Sequence, residues 1–171
     1  KKADHKKIVA VLNRILEAEL AGVVRYTHYS FMVFGHSRLP IVSWLRGQAS
    51  ESLTHAHEAG ELLTMMGEHP SLGIGPLLET YKHEIGEILV ESREHERGAV
   101  ALYRDLLKQV EGKSVLLEEY ARHCGGAPPA AGPARTDSLI GYGVLPEYFR
   151  GIPGRLRRLA RQARAEGSAR G

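Results

Sequence analysis

The sequence IVAVLNRILEAELAGVVRY, residues 8–26, carries side chains that recur at steps of three and four residues. This period is typical of an amphipathic helix, which we predict over residues 4–34. The recurring positions are Ile8, Leu12, Ile15, Glu19, Val23 and Tyr26. Glu19 is the charged residue in this set. Burial of an ionised carboxylate is unfavourable by several kcal/mol unless it is paired or bound to a metal. Its place in the predicted core face indicates a polar site.

Two more helices follow the first. Pro40 lies in the first turn of a second helix, which ends near Gly67. Pro76 favours the start of a third helix, which extends to about Val110. Like the first helix, the third carries a glutamate in its apolar face, which is Glu96. No alternating strand pattern interrupts these segments, so the sequence predicts an all-α fold.

The predicted fourth helix is short. It begins at Ser114 and ends near Cys124, because the run of glycine, alanine and proline that follows is incompatible with a helix. We therefore divide the chain into a helical domain of residues 1–124 and an irregular, basic tail of residues 125–171. The composition of the tail, rich in Arg, Gly, Ala and Pro, is typical of GC-rich coding sequence read out of frame. We interpret the tail either as a disordered segment or as the product of a frameshift.

Charge and cysteine content exclude several kinds of protein. The 171 residues carry a net charge of +3, but the tail alone holds eight arginines, no lysine and three acidic residues. The basic character therefore belongs to the tail. Cys124 is the single cysteine, which excludes a disulfide framework, a cysteine-bound zinc or iron–sulfur centre and a rubredoxin-like module. No apolar run is long enough to span a membrane, and we expect a cytoplasmic protein.

Carboxylates and a histidine on three helices indicate a metal site. Glu51 and His55 are four residues apart on the second helix, so they project from one face. Glu19 and Glu96 lie on the core faces of the first and third helices. Carboxylate and imidazole groups from facing helices are typical ligands of iron or manganese. For each residue alone, a surface position or ordinary packing explains the pattern as well, so the prediction rests on their conjunction.

Three segments resemble those of bacterioferritins, within the ferritin-like superfamily, over about residues 8–123. They are LNRILEAEL at 12–20, ESLTHA at 51–56 and HERGAVALYR at 95–104. The resemblance implies an antiparallel four-helix bundle with a di-iron centre in its core. It also implies that Fe(II) is oxidised by O2 or peroxide and stored inside a homo-oligomeric shell.

The resemblance assigns roles to individual residues. Glu19 is similar to a terminal iron ligand, Glu51 to a bridging ligand, and His55 to the histidine of the same helix. Glu96 resembles the ligand of the third helix. Tyr26 resembles the tyrosine beside the centre, which donates a hydrogen bond or an electron, and core packing is its alternative role.

The second helix departs from the bacterioferritin pattern. Three residues separate Glu51 from His55, where the family has two, and Ser52 stands at the usual glutamate position. Leu53 stands where the family has the methionine that binds haem, so we expect no haem.

The ligands that the family carries on its fourth helix have no counterpart at the expected position. Glu119 and His123 are four residues apart and are the candidate substitutes, although they lie too early in the chain. We therefore expect one well-ligated iron, weaker binding than in the family, and slow or absent oxidation.

Two other functions stay open at this point. A bundle without redox activity would serve as a subunit or interaction module, and metal binding distinguishes it from an iron-oxidising protein. The arginine-rich tail suggests a DNA-protecting relative, but such proteins place their metal ligands between subunits, whereas the pattern here lies within one chain. The partners we expect are ferrous iron, O2 or peroxide, and further copies of the chain. We expect neither nucleic acid nor a membrane.

Overall fold

The computed structural model describes residues 2–36, 38–77, 80–81 and 83–125. Its helices are α1 (Lys2–Met32), α2 (Arg38–Met65), α3 (Ile85–Val110) and α4 (Val115–Cys124). No strand occurs in these residues. The predicted all-α four-helix bundle is therefore confirmed, including its short fourth helix of 10 residues. The predictions for the tail lie outside the described residues, apart from Gly125, which follows the last turn of α4.

The first of two hydrophobic clusters joins all four helices. Each helix contributes a leucine that is buried in it, and these are Leu12, Leu63, Leu106 and Leu117. Burial of a leucine side chain stabilises the fold by about 1.5–3 kcal/mol. The contribution of α4 is confined to this cluster, where Tyr120 and Ala121 join its leucine.

The second cluster lies toward the other end of the bundle. It is built from α1, α2 and α3, around the buried side chains of Tyr26, Leu45 and Ile88. Among the described residues, α4 adds no side chain to it. The reason is length, because 10 residues of helix rise only about 15 Å. None of the described helices is both long and apolar enough to cross a membrane.

The segment between α2 and α3 is not helical where the structure describes it, so the predicted helix start at Pro76 is wrong. The Gly75 amide donates a hydrogen bond to the Glu17 carbonyl, with an N–O distance of 2.8 Å, and this holds the segment against α1. Farther along, Tyr81 has a φ of +56°, a left-handed conformation that interrupts a right-handed helix. α3 therefore begins at Ile85, about two and a half turns later than the proline signal predicts.

Glycines with positive φ form the turns at two helix ends. Gly67 has a φ of +76° and follows α2, where the Glu68 amide donates to the Leu63 carbonyl at 3.0 Å. Gly112, with a φ of +70°, lies in the turn between α3 and α4 and donates its amide proton to the Glu118 carboxylate at 3.0 Å. Gly67 lies where the sequence predicts the end of the second helix, and Gly112 lies between the predicted third and fourth helices.

Candidate metal centre

A layer of polar side chains separates the two hydrophobic clusters. Along α1, α2 and α3 it lies between the residues of the first cluster and those of the second. We call it the polar layer, and its members are Glu19, Ser52, His55, Ser92, His95 and Glu96. Because buried polar groups are unfavourable unless they are bonded, this layer is the place in the fold where a function is expected.

Glu19 lies at the centre of the layer and is 5% exposed. The Tyr103 hydroxyl donates a hydrogen bond to Glu19 Oε1 at 2.7 Å, and His55 Nδ1 lies 3.4 Å from the same oxygen. The Tyr120 hydroxyl lies 3.5 Å from that of Tyr103 and donates to the His55 carbonyl at 3.2 Å. α4 therefore supports the carboxylate through tyrosine hydroxyls, which links the fourth helix to the site.

The pKa of His55 lies above its ordinary value of 6.5. Burial of the ring lowers this pKa, but the hydrogen bond and charge of Glu19, with the charges of Glu51 and Glu58, outweigh the burial. The imidazole therefore keeps a proton over a wider pH range than a free histidine does. A bound cation would take the place of that proton beside Glu19.

Glu96 reaches the layer from α3 and is bonded to Tyr26. The Tyr26 hydroxyl donates a hydrogen bond to Glu96 Oε1. Burial raises the pKa of Glu96, the bond from Tyr26 lowers it, and the charges of Glu19 and Glu51 raise it, with a net increase. Burial, together with the Glu96 charge, also raises the pKa of Tyr26. A positive charge placed in the polar layer would therefore stabilise the ionised form of Glu96.

His95 immediately precedes Glu96 on α3 and is half-buried. The His95 ring lies edge-on to Tyr26, with 6.0 Å between the ring centroids. Burial and the Arg25 charge lower the pKa of His95, while Glu19 raises it. The sequence could have indicated this position, because His95 and Glu96 follow Ser92 by three and four residues. Residues at both spacings lie near the same face of a helix.

Ser52 and His95 both contact α1 at Gly22. A Cβ atom on Gly22 would lie 2.7 Å from Ser52 Oγ and 3.0 Å from His95 Nε2. The missing side chain of this glycine therefore lets α2 and α3 bring polar atoms against α1. Gly22 follows Glu19 by one turn of the helix, so these atoms belong to the same layer.

Three residues predicted as ligands lie outside the polar layer. Glu51 is exposed and accepts a hydrogen bond from the Gln48 side chain at 3.3 Å, while the neighbouring Ser52 is buried. Glu119 and His123 are exposed on α4, whose buried residues are Leu117, Tyr120 and Ala121. The structure therefore brings Glu19, His55 and Glu96 into one layer and leaves Glu51, Glu119 and His123 on the surface.

The described residues do not fit the di-iron centre that the resemblance implies. No three His, Cys, Asp or Glu side chains among them stand together closely enough to hold a metal ion as they lie. A paired centre also needs bridging carboxylates, and Ser52 is the buried residue where the family has one. All nine histidines lie in residues 1–124, so the tail supplies no imidazole. Within the polar layer, Glu19 Oε1 and His55 Nδ1 lie 3.4 Å apart.

A methyl group added at Gly22 is expected to destabilise the protein. Gly22→Ala places a Cβ 2.7 Å from Ser52 Oγ, and overpacking of this kind costs about 1–3 kcal/mol. The gain from replacing a helical glycine is smaller, about 0.5–1 kcal/mol. Gly47→Ala on α2 is the matched control, because nothing lies within 4 Å of its added Cβ, and it is expected to stabilise the protein. Urea unfolding measures both, and equal stabilisation by the two substitutions would contradict the close approach at Gly22.

Neutralising Glu96 is expected to stabilise the metal-free protein at pH 7. The pKa of Glu96 is higher in the folded state than its ordinary value of 4.5, so its contribution to stability is largest below pH 4.5 and falls as the pH rises through the folded pKa. Glu96→Gln keeps an acceptor for Tyr26 and removes the charge. Its stability advantage over the wild type, measured by urea unfolding with a chelator present, should therefore grow from pH 4 to pH 7. An advantage that shrinks over this range would contradict the burial of a charged Glu96, and the exposed Glu94→Gln serves as the control.

Comparison with known proteins agrees with this geometry at the level of the fold. The family model for the ferritin-like domain matches residues 9–126, which is more than half of the chain. A similar fold occurs in a crystal structure of ferritin-like, diiron-carboxylate proteins from Bacillus anthracis str. Ames, with a TM-score of 0.65 and 20% sequence identity. That match covers 71% of this chain and 87% of the other. No curated protein matches the chain. The chain belongs to the ferritin-like family.

Proposed function

We propose that the chain binds one Fe(II) ion in the polar layer, through Glu19, His55 and Glu96, and oxidises it slowly. The observation that carries the proposal is the buried Glu19 carboxylate with His55 Nδ1 at 3.4 Å. Glu96 adds a second carboxylate from α3, and its pKa is raised in part by the charge of Glu19. Membership of the ferritin-like family, whose fold is shared by diiron-carboxylate proteins, supports iron as the ion.

Iron is the substrate in this proposal. Carboxylate oxygens and imidazole nitrogens suit Fe(II). One ferrous ion supplies one electron, whereas reduction of O2 to peroxide consumes two, so oxidation should be slower than at a paired site. Tyr26, whose hydroxyl donates to Glu96, is the proposed source of a hydrogen bond or of an electron.

The proposal is tested by aerobic oxidation of Fe(II), followed through the growth of ferric–oxo absorbance. The chain should oxidise iron faster than buffer, and Glu96→Ala should lose most of this rate. Glu94→Ala is the matched control, because Glu94 is exposed on α3 and pairs with Arg97 at 3.7 Å. A wild-type rate equal to that of buffer would contradict the proposal, and so would a Glu96→Ala rate equal to that of Glu94→Ala.

A homo-oligomer is part of the proposal. Large apolar side chains are exposed around the connection from α1 to α2, at Phe31, Phe34 and Leu39, with Leu39 82% exposed. Patches of this kind are often contact surfaces between subunits. Analytical ultracentrifugation should therefore find an assembly larger than one chain. The cytoplasmic location stays a prediction from the sequence.

A ferritin fold without redox chemistry is the second candidate. Glu19 already receives a hydrogen bond from Tyr103 and lies beside His55, so its burial is explained without a metal. In that case the bundle would act as a subunit or interaction module. Absence of metal binding by the wild-type chain would favour this candidate over iron oxidation.

A further inference from the structure

Two pairs of aromatic rings flank the polar layer, one in each hydrophobic cluster. In the first cluster, the Tyr103 ring lies edge-on to Tyr120, with 5.6 Å between the ring centroids. In the second cluster, the Tyr26 ring lies edge-on to Trp44, with 6.4 Å between the centroids and an angle of 76° between the ring planes. Both separations are those of aromatic rings in contact.

Each pair begins at a carboxylate of the polar layer. The Tyr103 hydroxyl donates a hydrogen bond to Glu19, and the Tyr26 hydroxyl donates one to Glu96. When a phenol loses an electron it also releases its proton, and a carboxylate that already accepts a hydrogen bond from the hydroxyl is placed to receive that proton. Each tyrosine is therefore positioned for one-electron chemistry at the layer.

The two pairs differ in where they end. Tyr120 is 8% exposed, so the first pair ends inside the bundle. Trp44 is half-buried on α2 and packs at the margin of the second cluster, so part of its indole ring faces solvent. Of the two pairs, the one formed by Tyr26 and Trp44 therefore connects the polar layer with the protein surface.

We infer that Trp44 relays electrons from solvent to Tyr26. The inference rests on the proposed function and names the route of the second electron that reduction of O2 to peroxide requires. One Fe(II) ion supplies the first electron and Tyr26 the second, while the two protons of hydrogen peroxide come from water. The Tyr26 proton moves to Glu96, which leaves a neutral tyrosyl radical.

The relay then restores the tyrosine. Trp44 passes one electron to the Tyr26 radical, which takes its proton back from Glu96, and the indole N–H proton of Trp44 goes to water. A one-electron reductant in solution, for which ascorbate is the probe, returns an electron and a proton to Trp44. Tyr26 is 1% exposed, so a reductant in solution does not reach its ring without such a relay.

The contact between Trp44 and Tyr26 can be tested in the iron-free full chain by pulse radiolysis with azide radicals, which oxidise tryptophan faster than tyrosine. Because Trp44 is the single tryptophan, the first radical formed has a known position. Indole and phenol are oxidised at similar potentials, so the hole should equilibrate with Tyr26. A tyrosyl radical should therefore appear as the tryptophan radical decays, at a rate that does not depend on protein concentration.

Tyr26→Phe keeps the ring and should lose this conversion. Tyr81→Phe is the matched control, since Tyr81 is 82% exposed, and it should retain the conversion. A tryptophan radical that decays in the same way in the wild type and in Tyr26→Phe would overturn the inference.

A second measurement follows the relay during aerobic oxidation of Fe(II) with ascorbate present. Trp44→Phe keeps an aromatic ring in the second cluster and removes the oxidisable indole. Freeze-quench electron paramagnetic resonance should find more tyrosyl radical in this variant than in the wild type, and a merely structural role of Trp44 would not produce that difference. Equal amounts of tyrosyl radical in the two proteins would overturn the inference.

Distinct results separate the relay from the proposed function. A wild-type chain that converts the tryptophan radical to a tyrosyl radical but does not oxidise Fe(II) would overturn the proposed function and the role of the relay in it, while the electron transfer between the two rings would stand. A chain that oxidises Fe(II) but shows no such conversion would overturn the relay and leave the proposed function intact.

Discussion

Truncation of Tyr103 to alanine is expected to lower the free energy of unfolding by about 3–5 kcal/mol, the usual cost of removing a buried aromatic ring. Tyr103 is 2% exposed and packs edge-on against Tyr120, with 5.6 Å between ring centroids. Its hydroxyl is also the donor to Glu19 at 2.7 Å. The substitution therefore leaves a cavity in the first cluster and removes the hydrogen bond of a buried carboxylate.

Tyr103→Phe separates these two contributions. It keeps the ring and removes only the hydroxyl, so we expect a loss of about 1–3 kcal/mol, the cost of a buried group left without its partner. Urea unfolding of both variants against the wild type provides the measurement. A Tyr103→Phe protein as stable as the wild type would mean that the bond to Glu19 contributes nothing.

Replacement of Glu19 by alanine is expected to cause the largest loss of metal affinity. Glu19 extends from α1 toward α3, where Tyr103 donates a hydrogen bond to it, and toward α2, where His55 Nδ1 lies 3.4 Å from its carboxylate. Removal of a residue that only positions a metal ligand typically weakens metal binding by about 10–100-fold. Because Glu19 is itself a proposed ligand, its removal should weaken Fe(II) binding by more than this. Anaerobic competition for Fe(II) with a chromophoric chelator measures the change.

Glu17→Ala is the matched control for Glu19→Ala. Glu17 is on the same helix but accepts a hydrogen bond from Ser71 at the edge of the bundle, with an O–O distance of 2.5 Å. It should bind Fe(II) as the wild type does. Similar Fe(II) affinity in Glu19→Ala and Glu17→Ala would place the binding site elsewhere in the chain.

The fold could be predicted from the sequence because its helices are long and their apolar residues repeat. The end of α2 at Gly67 and the shortness of α4 both follow from residues that helices do not tolerate. The start of α3 could not be predicted in the same way. Pro76 is compatible with a first helical turn, but the bond from Gly75 to the Glu17 carbonyl is a contact between distant parts of the chain.

The site could be predicted only in part. Glu19 is a carboxylate in an apolar stripe, and such a residue is visible in the sequence. Ser52 and His95 are not, because a serine or histidine at the edge of a helical face is common on surfaces. Their approach to Gly22 depends on three helices meeting at one point. The exposure of Glu51 could not be predicted from spacing, because Glu51 and Ser52 precede His55 by four and three residues and both spacings are compatible with one face of a helix.

The most direct test of the single-ion account is the number of Fe(II) ions bound tightly per chain, measured by anaerobic titration of the metal-free protein. One ion per chain, lost in Glu19→Ala and retained in Glu17→Ala, is the result that the polar layer predicts. Two tightly bound ions per chain would restore the paired centre, and none would leave a ferritin fold that does not bind iron. Either of these results would contradict a single cation held by Glu19 and His55.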